Sequence, residues 1–188
     1  GFTAAPGFEV NCLDFSQGDA LWEAVLSAGE EFGIRVAAPS MAKRIEAGMM
    51  NYGSDMTIEH NPFQIMGLER LVEEQPQAYI GKEALERIRV EGVTDKLVGI
   101  ELEAERGFEI DPADFWPVFH DGKEVGRVTD AVWSPRLERN IGYVWVPIEL
   151  SEPGTRLDVE SQHGHIVGTT AAIPFVDPKK QVPAASLR

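Results

Sequence analysis

Two stretches of the chain carry side chains that could bind a ligand. In residues 51–55, the Tyr52 ring could stack on a planar group, and Asn51 or Asp55 could bond its heteroatoms. The same residue types are equally typical of a turn braced by Asx hydrogen bonds. Trp133 precedes a Ser-Pro turn, where it could close over a ligand or anchor the core. Residue spacing alone assigns no reaction type to either stretch.

A third stretch, His163-Gly164-His165, could place two imidazole rings on one strand face. Because no third ligand lies nearby in the sequence, we predict a hairpin tip there and no metal site. Phosphate-binding loops, G-x-S-x-G and C-x-x-C are absent from the sequence. The sequence therefore names no catalytic residue.

Composition narrows the class of protein. The 188 residues are 43% hydrophobic and hold 17 basic against 31 acidic side chains, which gives a net charge of −14. Such a charge argues against nucleic-acid binding. No apolar run reaches the length of a membrane span, and no secretory signal is evident. The single Cys12 excludes an internal disulfide and suits a reducing compartment, so we expect a cytoplasmic protein.

Helical periodicity dominates the first half of the chain. The first predicted helix is capped by Ser16 or Asp19 and runs to about Phe32, with Gly33 just after its end. Its apolar stripe consists of Leu21, Val25, Ala28 and Phe32. Before it, Phe8 and Val10 alternate with polar residues, which predicts a half-buried strand.

Two further helices are predicted before residue 93. Pro39 can open the second helix, and Gly48 and Gly53 bracket its end. Its apolar stripe consists of Ala42, Ile45 and Met49. Asn61-Pro62 predicts an extended stop. The third helix runs from Gly81 to about Arg89, and its inward residues are Ala84, Leu85 and Ile88.

After Gly92 the pattern changes to short alternating strands. These are predicted over residues 97–102, 115–120, 125–129, 143–148, 157–159 and 166–175. Asp121-Gly122 predicts a tight hairpin turn between two of them. We therefore expect an α+β chain with an α/β portion over residues 1–93 and an antiparallel β-barrel-like domain over residues 94–188, of which the residues after Asp177 form a tail.

Four motifs in sequence order carry a family resemblance. They are G-F-E at 7–9, R-I-E-A-G-M-M-N-Y-G-S-D-M…N-P-F at 44–63, Y-I-G-K-E-A-L at 79–85, and G-R-V-T…S-P-R-L…I-G-Y-V…P-G-T…P-F-V at 126–176. Together they resemble the folate-dependent aminomethyltransferase superfamily. That superfamily includes the glycine-cleavage T-protein, the dimethylsulfoniopropionate demethylases and the folate domains of dimethylglycine and sarcosine dehydrogenases.

The resemblance implies tetrahydrofolate as cofactor. The family's G-x-E glutamate is associated with holding the pterin, and it corresponds to Glu9. A carboxylate can accept the two adjacent N–H donors of a pterin edge in a bidentate arrangement. The alternative is an exposed strand glutamate. The predicted cofactor-binding residues are Glu9, Tyr52 and Trp133.

One position departs from the T-protein pattern. T-proteins carry an arginine at the position of Ser40, and a short neutral serine cannot replace its guanidinium fork. The P-S…R-I-E pattern is closer to the dimethylsulfoniopropionate demethylases. Arg44 and Glu46 are two residues apart on the predicted helix and do not face each other. Each is therefore expected to serve a structural ion pair or a loop hydrogen bond.

The resemblance implies the C-terminal part of a tetrahydrofolate-dependent methyl- or aminomethyl-transferase. The chain begins without an initiator Met, and the catalytic residues are expected in an N-terminal part of the same protein, without which this chain should be inactive. The expected partners are that part and a small-molecule one-carbon donor. Two alternatives are a non-catalytic folate-binding or interaction module and the C-terminal folate domain of a flavin-dependent dimethylglycine or sarcosine dehydrogenase.

Overall fold

The second half of the chain forms a closed antiparallel barrel. The computed structural model describes residues 7–105, 114–179 and 181. Within these residues the barrel strands are β1 Asp95–Glu103, β2 Trp116–His120, β3 Lys123–Ser134, β4 Arg139–Pro147, β5 Arg156–Ser161 and β6 Gly164–Ala171. They pair in the order β1-β4-β3-β2-β5-β6, and β6 closes the barrel on β1. The predicted α+β class with a C-terminal barrel is confirmed.

Turn chemistry and strand alternation explain why these residues form the barrel. Asp121 and Gly122 both have positive φ, at 50° and 72°, as a two-residue hairpin turn requires. The predicted strands are all present, although β1, β3, β4 and β5 are longer than predicted. The last strand ends at Ala171 instead of residue 175, ahead of Pro174, which has no N–H to donate to a neighbouring strand.

Alternating residues of the strands fill the barrel interior. Its buried core consists of Val98, Ile100, Leu102, Trp116, Val118, Val128, Ala131, Val144, Val146, Leu157 and Val159. Gly142 permits close contact between β3 and β4, because a Cβ there would collide with the Asp130 carbonyl oxygen. The barrel interior is therefore a packed hydrophobic core, and the backbones of β3 and β4 lie in close contact at Gly142.

The first half of the described chain is helical and irregular. Its helices are α1 Gly18–Gly29, α2 Met41–Glu46 and α3 Lys82–Glu91. Short 3₁₀ turns cover Phe15–Gln17, Glu30–Phe32, Pro62–Gln64 and Glu69–Leu71, and another, Ile148–Leu150, follows β4. Gly33 adopts the left-handed conformation after the second turn, which confirms it as the end of the first helical segment.

Two local predictions for the start of the chain are wrong. Residues 7–12 form no strand, and Phe8 is 99% exposed, because no described strand pairs with them. Neither Ser16 nor Asp19 caps α1; instead the Asp14 side chain accepts the Ser16 N–H at the preceding 3₁₀ turn. Hydrogen bonds from the Ser16 hydroxyl and from the Ser16 N–H hold the pKa of Asp14 below its usual value.

The apolar stripe of α1 lies in solvent within the described structure. Val25 is 42% and Phe32 81% exposed, and α1 has no buried residue. Pro39 precedes α2 instead of opening it, because Ser40 is the N-cap and its hydroxyl accepts the Lys43 N–H at 3.4 Å. Helical periodicity thus identified both helices but not the residues that begin them or their surroundings.

A second core joins α2 and the following loops to the outer face of the barrel. Its buried members are Ile45, Ile65, Leu97, Val132, Ile141, Tyr143 and Trp145. The backbone N–H of Met66 also donates to the Leu97 carbonyl oxygen, which extends the contact along β1. Residues 41–68 are therefore held on the barrel by apolar packing and by main-chain hydrogen bonds.

Candidate functional site

Arg44 is the centre of a buried ionic cluster between α2 and the barrel. Its side chain is fully buried, and its Nη1 donates to Asp55 Oδ2 at 2.9 Å and to the Met49 carbonyl oxygen at 2.7 Å. Its Nη2 donates to Asp130 Oδ2 on β3. The guanidinium carbon lies 5.8 Å from the Tyr143 ring centre. The prediction that Arg44 serves a structural ion pair is confirmed.

Asp55 connects this cluster to the polar loop, which we define as residues 51–56. Its Oδ2 also accepts the Asn51 N–H at 2.7 Å, and its Oδ1 accepts the Thr129 hydroxyl at 2.9 Å. Its backbone carbonyl oxygen accepts Nε1 of Trp145 at 2.8 Å. Both ends of the polar loop are therefore held by one buried aspartate.

Asp130 has an unusual proton affinity for an aspartate. Burial raises the pKa of Asp130 to about 6, and the nearby negative charge of Asp55 adds to the rise, although the Arg44 guanidinium opposes it. Burial also raises the pKa of Tyr143. The cluster thus places one cation, Arg44, beside two carboxylates, Asp55 and Asp130, away from water. Of the two carboxylates, Asp130 is the one whose ionised form is less favoured.

Glu46 makes a second polar link between α2 and β3. The Ser134 hydroxyl donates to Glu46 Oε1 at 2.6 Å and accepts the Leu137 N–H at 3.1 Å. Ser134 is fully buried and Glu46 is 6% exposed. Glu46 was predicted to serve a structural ion pair or a loop hydrogen bond; the structure shows a buried hydrogen bond, with a partner 88 residues away in sequence.

The tip of the polar loop is open to solvent. Tyr52 is 67% exposed, and Asn51 and Gly53 are exposed beside it. The Ser54 hydroxyl oxygen is buried and has no hydrogen-bond partner within the described residues. A rigid base with an exposed aromatic ring and an unsatisfied hydroxyl is suited to binding a planar polar ligand.

The three predicted cofactor-binding residues lie on three different segments of the described structure. Glu9 lies in the exposed irregular segment before α1, and its carboxylate makes no hydrogen bond or ion pair among the described residues. Trp133 lies two residues after the core residue Ala131, so strand alternation directs it to the interior side of β3. The polar loop that carries Tyr52 packs on the opposite side of that strand.

Sequence reasoning missed the partners that hold the polar loop. Thr129 was assigned only to a predicted strand and Ser134 only to a turn, and Asp130 was given no role, because nothing in the nearby sequence marks the side chains that they contact. It also missed His60, whose ring stacks on Trp145 with centroids 4.3 Å apart. A polar residue in an apolar strand, such as Asp130, is the one signal that could have indicated a buried ion pair.

Other candidate features lie away from the loop. A groove of about 510 Å³ runs between residues 72–79 and α3, and its lining includes none of Glu9, Tyr52 and Trp133. In the described part of the chain, no three His, Cys, Asp or Glu side chains are grouped as metal ligands would be. No helix in that part combines the length and apolarity needed to cross a membrane.

Two family models match consecutive parts of the chain. Residues 1–75 match the GCVT N-terminal domain, and residues 96–177 match the glycine cleavage T-protein C-terminal barrel domain. The second match coincides with the closed barrel described above. The first contains α2 and the polar loop, which the structure packs on the outside of that barrel.

Individual relatives agree with these models. The chain is 33% identical to dimethylsulfoniopropionate demethylase DmdA of Ruegeria pomeroyi over 165 residues, which is 87% of this chain and 44% of the relative. It is 38% identical to an aminomethyltransferase of Symbiobacterium thermophilum over 178 residues, 93% of this chain and 46% of the relative. The chain thus spans less than half the length of these curated relatives.

A solved structure shares the fold. The glycine cleavage system aminomethyltransferase T from Bartonella henselae superposes with a TM-score of 0.74 at 21% identity. The match covers 86% of this chain and 44% of that protein. At this level of identity the likeness establishes the fold alone.

Proposed function

Because the chain belongs to the glycine cleavage T-protein family, we propose that it forms the barrel and part of the folate-binding domain of an enzyme that transfers a one-carbon unit to tetrahydrofolate. The observation that carries the proposal is the order of the two family matches on one chain, at residues 1–75 and 96–177. Tetrahydrofolate would supply the nitrogen that accepts the one-carbon unit. The chain's own residues would bind and orient it.

The residues present fit such a ligand. The Glu9 carboxylate is exposed and makes no hydrogen bond or ion pair among the described residues, so it is available to adjacent N–H donors. The exposed Tyr52 ring offers a face for a planar ring, and the buried Ser54 hydroxyl lacks a partner within the described residues. Trp133 is the third predicted contact, and a Trp133→Phe variant tests whether it takes part in binding.

The residue at position 40 indicates the class of one-carbon donor. Ser40 caps α2 through its hydroxyl, and it stands where T-proteins carry an arginine. A neutral cap cannot act as the rigid anion clamp that an arginine provides. We therefore expect a small sulfonium or amine donor instead of an aminomethyl group on a lipoylated carrier protein. The relative named dimethylsulfoniopropionate demethylase supports this choice.

A donor panel with the full-length protein tests the proposal. Purified protein and tetrahydrofolate are incubated with dimethylsulfoniopropionate, dimethylglycine, or aminomethyl-loaded lipoyl carrier, and the folate products are resolved by mass spectrometry. A one-carbon derivative of tetrahydrofolate with a sulfonium or amine donor supports the assignment. Turnover that requires the lipoyl carrier would refute the donor class, and tetrahydrofolate binding without turnover of any donor would indicate a non-catalytic folate-binding module.

A further inference from the structure

Two hydroxyl groups of β3 each bind a buried carboxylate of the segment that packs on the barrel. The Thr129 hydroxyl donates to Asp55 Oδ1 at 2.9 Å, and the Ser134 hydroxyl donates to Glu46 Oε1 at 2.6 Å. Both hydroxyl-bearing residues are fully buried. Their partners belong to different elements. Thr129 binds Asp55 of the polar loop, whereas Ser134 binds Glu46 of α2.

The polar loop depends on Asp55 for its conformation. The Asn51 N–H and the Arg44 guanidinium both donate to Asp55 Oδ2, and the backbone N–H of Asp55 donates to the Asn51 carbonyl oxygen at 3.0 Å. Arg44 is fixed in turn by Asp130 of the barrel. The exposed tip at Tyr52 therefore rests on a base whose donors come partly from β3.

We propose that Thr129 and Asp130 are positioning residues, through which the barrel fixes the conformation in which the polar loop presents Tyr52 to its ligand. Thr129 acts through Asp55, and Asp130 acts through Arg44. The identity of the ligand rests on the function proposed above, but the positioning itself does not.

Removal of the Thr129 hydroxyl would leave a buried carboxylate oxygen of Asp55 unsatisfied. If the Thr129 hydroxyl is removed, Asp55 Oδ1 loses the hydrogen-bond donor found for it here, and a buried acceptor without a partner is costly. The carboxylate can regain a partner only if it turns or admits water, and either change moves the oxygen that accepts the Asn51 N–H. Loss of the Ser134 hydroxyl leaves a comparable defect at Glu46 without touching the polar loop.

A matched pair of variants separates positioning from general stability. Thr129→Val removes the hydroxyl at nearly constant shape, and Ser134→Ala is the control at the C-terminal end of the same strand. Thr129→Ser keeps a hydroxyl and tests for rescue. The full-length protein carries 3-fluorotyrosine, and Tyr52→Phe assigns the Tyr52 fluorine signal. Fluorine NMR reports the loop conformation, and calorimetry reports the affinity for tetrahydrofolate.

We expect Thr129→Val to shift or broaden the Tyr52 signal and to raise the dissociation constant for tetrahydrofolate by about two- to tenfold, the range of one lost hydrogen bond. Thr129→Ser should restore both readouts, and Ser134→Ala should change neither. An unchanged Tyr52 signal in Thr129→Val, or equal shifts in Thr129→Val and Ser134→Ala, would overturn the proposal.

Two further outcomes keep the test decisive. If Thr129→Val does not fold, Asp130→Asn is used in its place. The asparagine removes the charge that holds Arg44 but retains an oxygen acceptor. An unchanged Tyr52 signal in Asp130→Asn then overturns the proposal. If Thr129→Val alters the Tyr52 signal but wild-type protein does not bind tetrahydrofolate, the positioning stands and the proposed function fails.

Discussion

Substitution of Asp130 by asparagine should change how the stability of the protein depends on pH. Asp130 is 4% exposed and lies against the Arg44 guanidinium, with Asp55 and the Tyr143 phenol as the other titratable groups of the cluster. Burial raises its pKa from 3.8 to about 6. Asparagine keeps a similar shape and an oxygen for Arg44 but cannot take up a proton.

The sign of the effect follows from the direction of the shift. The pKa of Asp130 is higher in the folded protein than in the unfolded chain, so the folded protein binds a proton more readily. The resulting stabilisation is fully present below pH 3.8 and is lost as the pH rises through about 6. The whole shift corresponds to about 3 kcal/mol. Between pH 7.5 and pH 5 the wild-type free energy of unfolding should therefore rise by roughly 1 kcal/mol from protonation of Asp130.

Urea unfolding of the 188-residue chain at several pH values measures this gain. Trp116, Trp133 and Trp145 lie on barrel strands and report the transition by fluorescence. Other titrating groups contribute to both proteins, so they largely cancel in the difference between wild type and Asp130→Asn. Equal pH slopes would refute the reasoning. A wild type that loses stability relative to the variant on acidification would mean that Arg44 outweighs burial.

Three further predictions follow from the same structure. In the full-length protein, Glu9→Gln should raise the dissociation constant for tetrahydrofolate by roughly ten- to hundredfold, because one bond to a charged acceptor is lost; calorimetry measures this, and unchanged affinity would remove Glu9 from the site. Gly142→Ala should destabilise the barrel by roughly 1–3 kcal/mol, since its Cβ would meet the Asp130 carbonyl oxygen, whereas Gly18→Ala, with no atom within 4 Å, should be neutral or stabilising in thermal melts. The isolated chain should transfer no one-carbon unit from any sulfonium or amine donor to tetrahydrofolate, and turnover in a product assay would contradict this.

The barrel strands could be predicted because the patterns that specify each strand and turn lie within a short stretch of sequence. Each strand alternates between core and exterior, and the Asp121-Gly122 turn fixes one hairpin through two positive φ angles. The same reasoning failed at Phe8 and Val10. Alternation predicts a strand only where another strand is present to pair with it, and the described structure offers none there.

The site could be predicted only in part because its contacts are long-range. The helix spacing showed that Arg44 and Glu46 do not face each other and must find other partners. Which partners they find depends on β3, whose Asp130 lies 86 residues beyond Arg44 in sequence. The exposed stripe of α1 has the same origin, since periodicity identifies an apolar face but not what covers it.

The change of pattern near residue 94 separates two kinds of secondary structure, but the packing does not follow it. Ile45 and Ile65 precede that point, yet they are buried in one core with Leu97 and Tyr143 of the barrel. The Arg44 cluster and the Thr129–Asp55 hydrogen bond cross it as well. The barrel is therefore part of the structural support of the polar loop, and the loop's conformation is a property of both halves. Substitutions on the outer face of β3 should therefore be able to alter ligand binding without contacting the ligand.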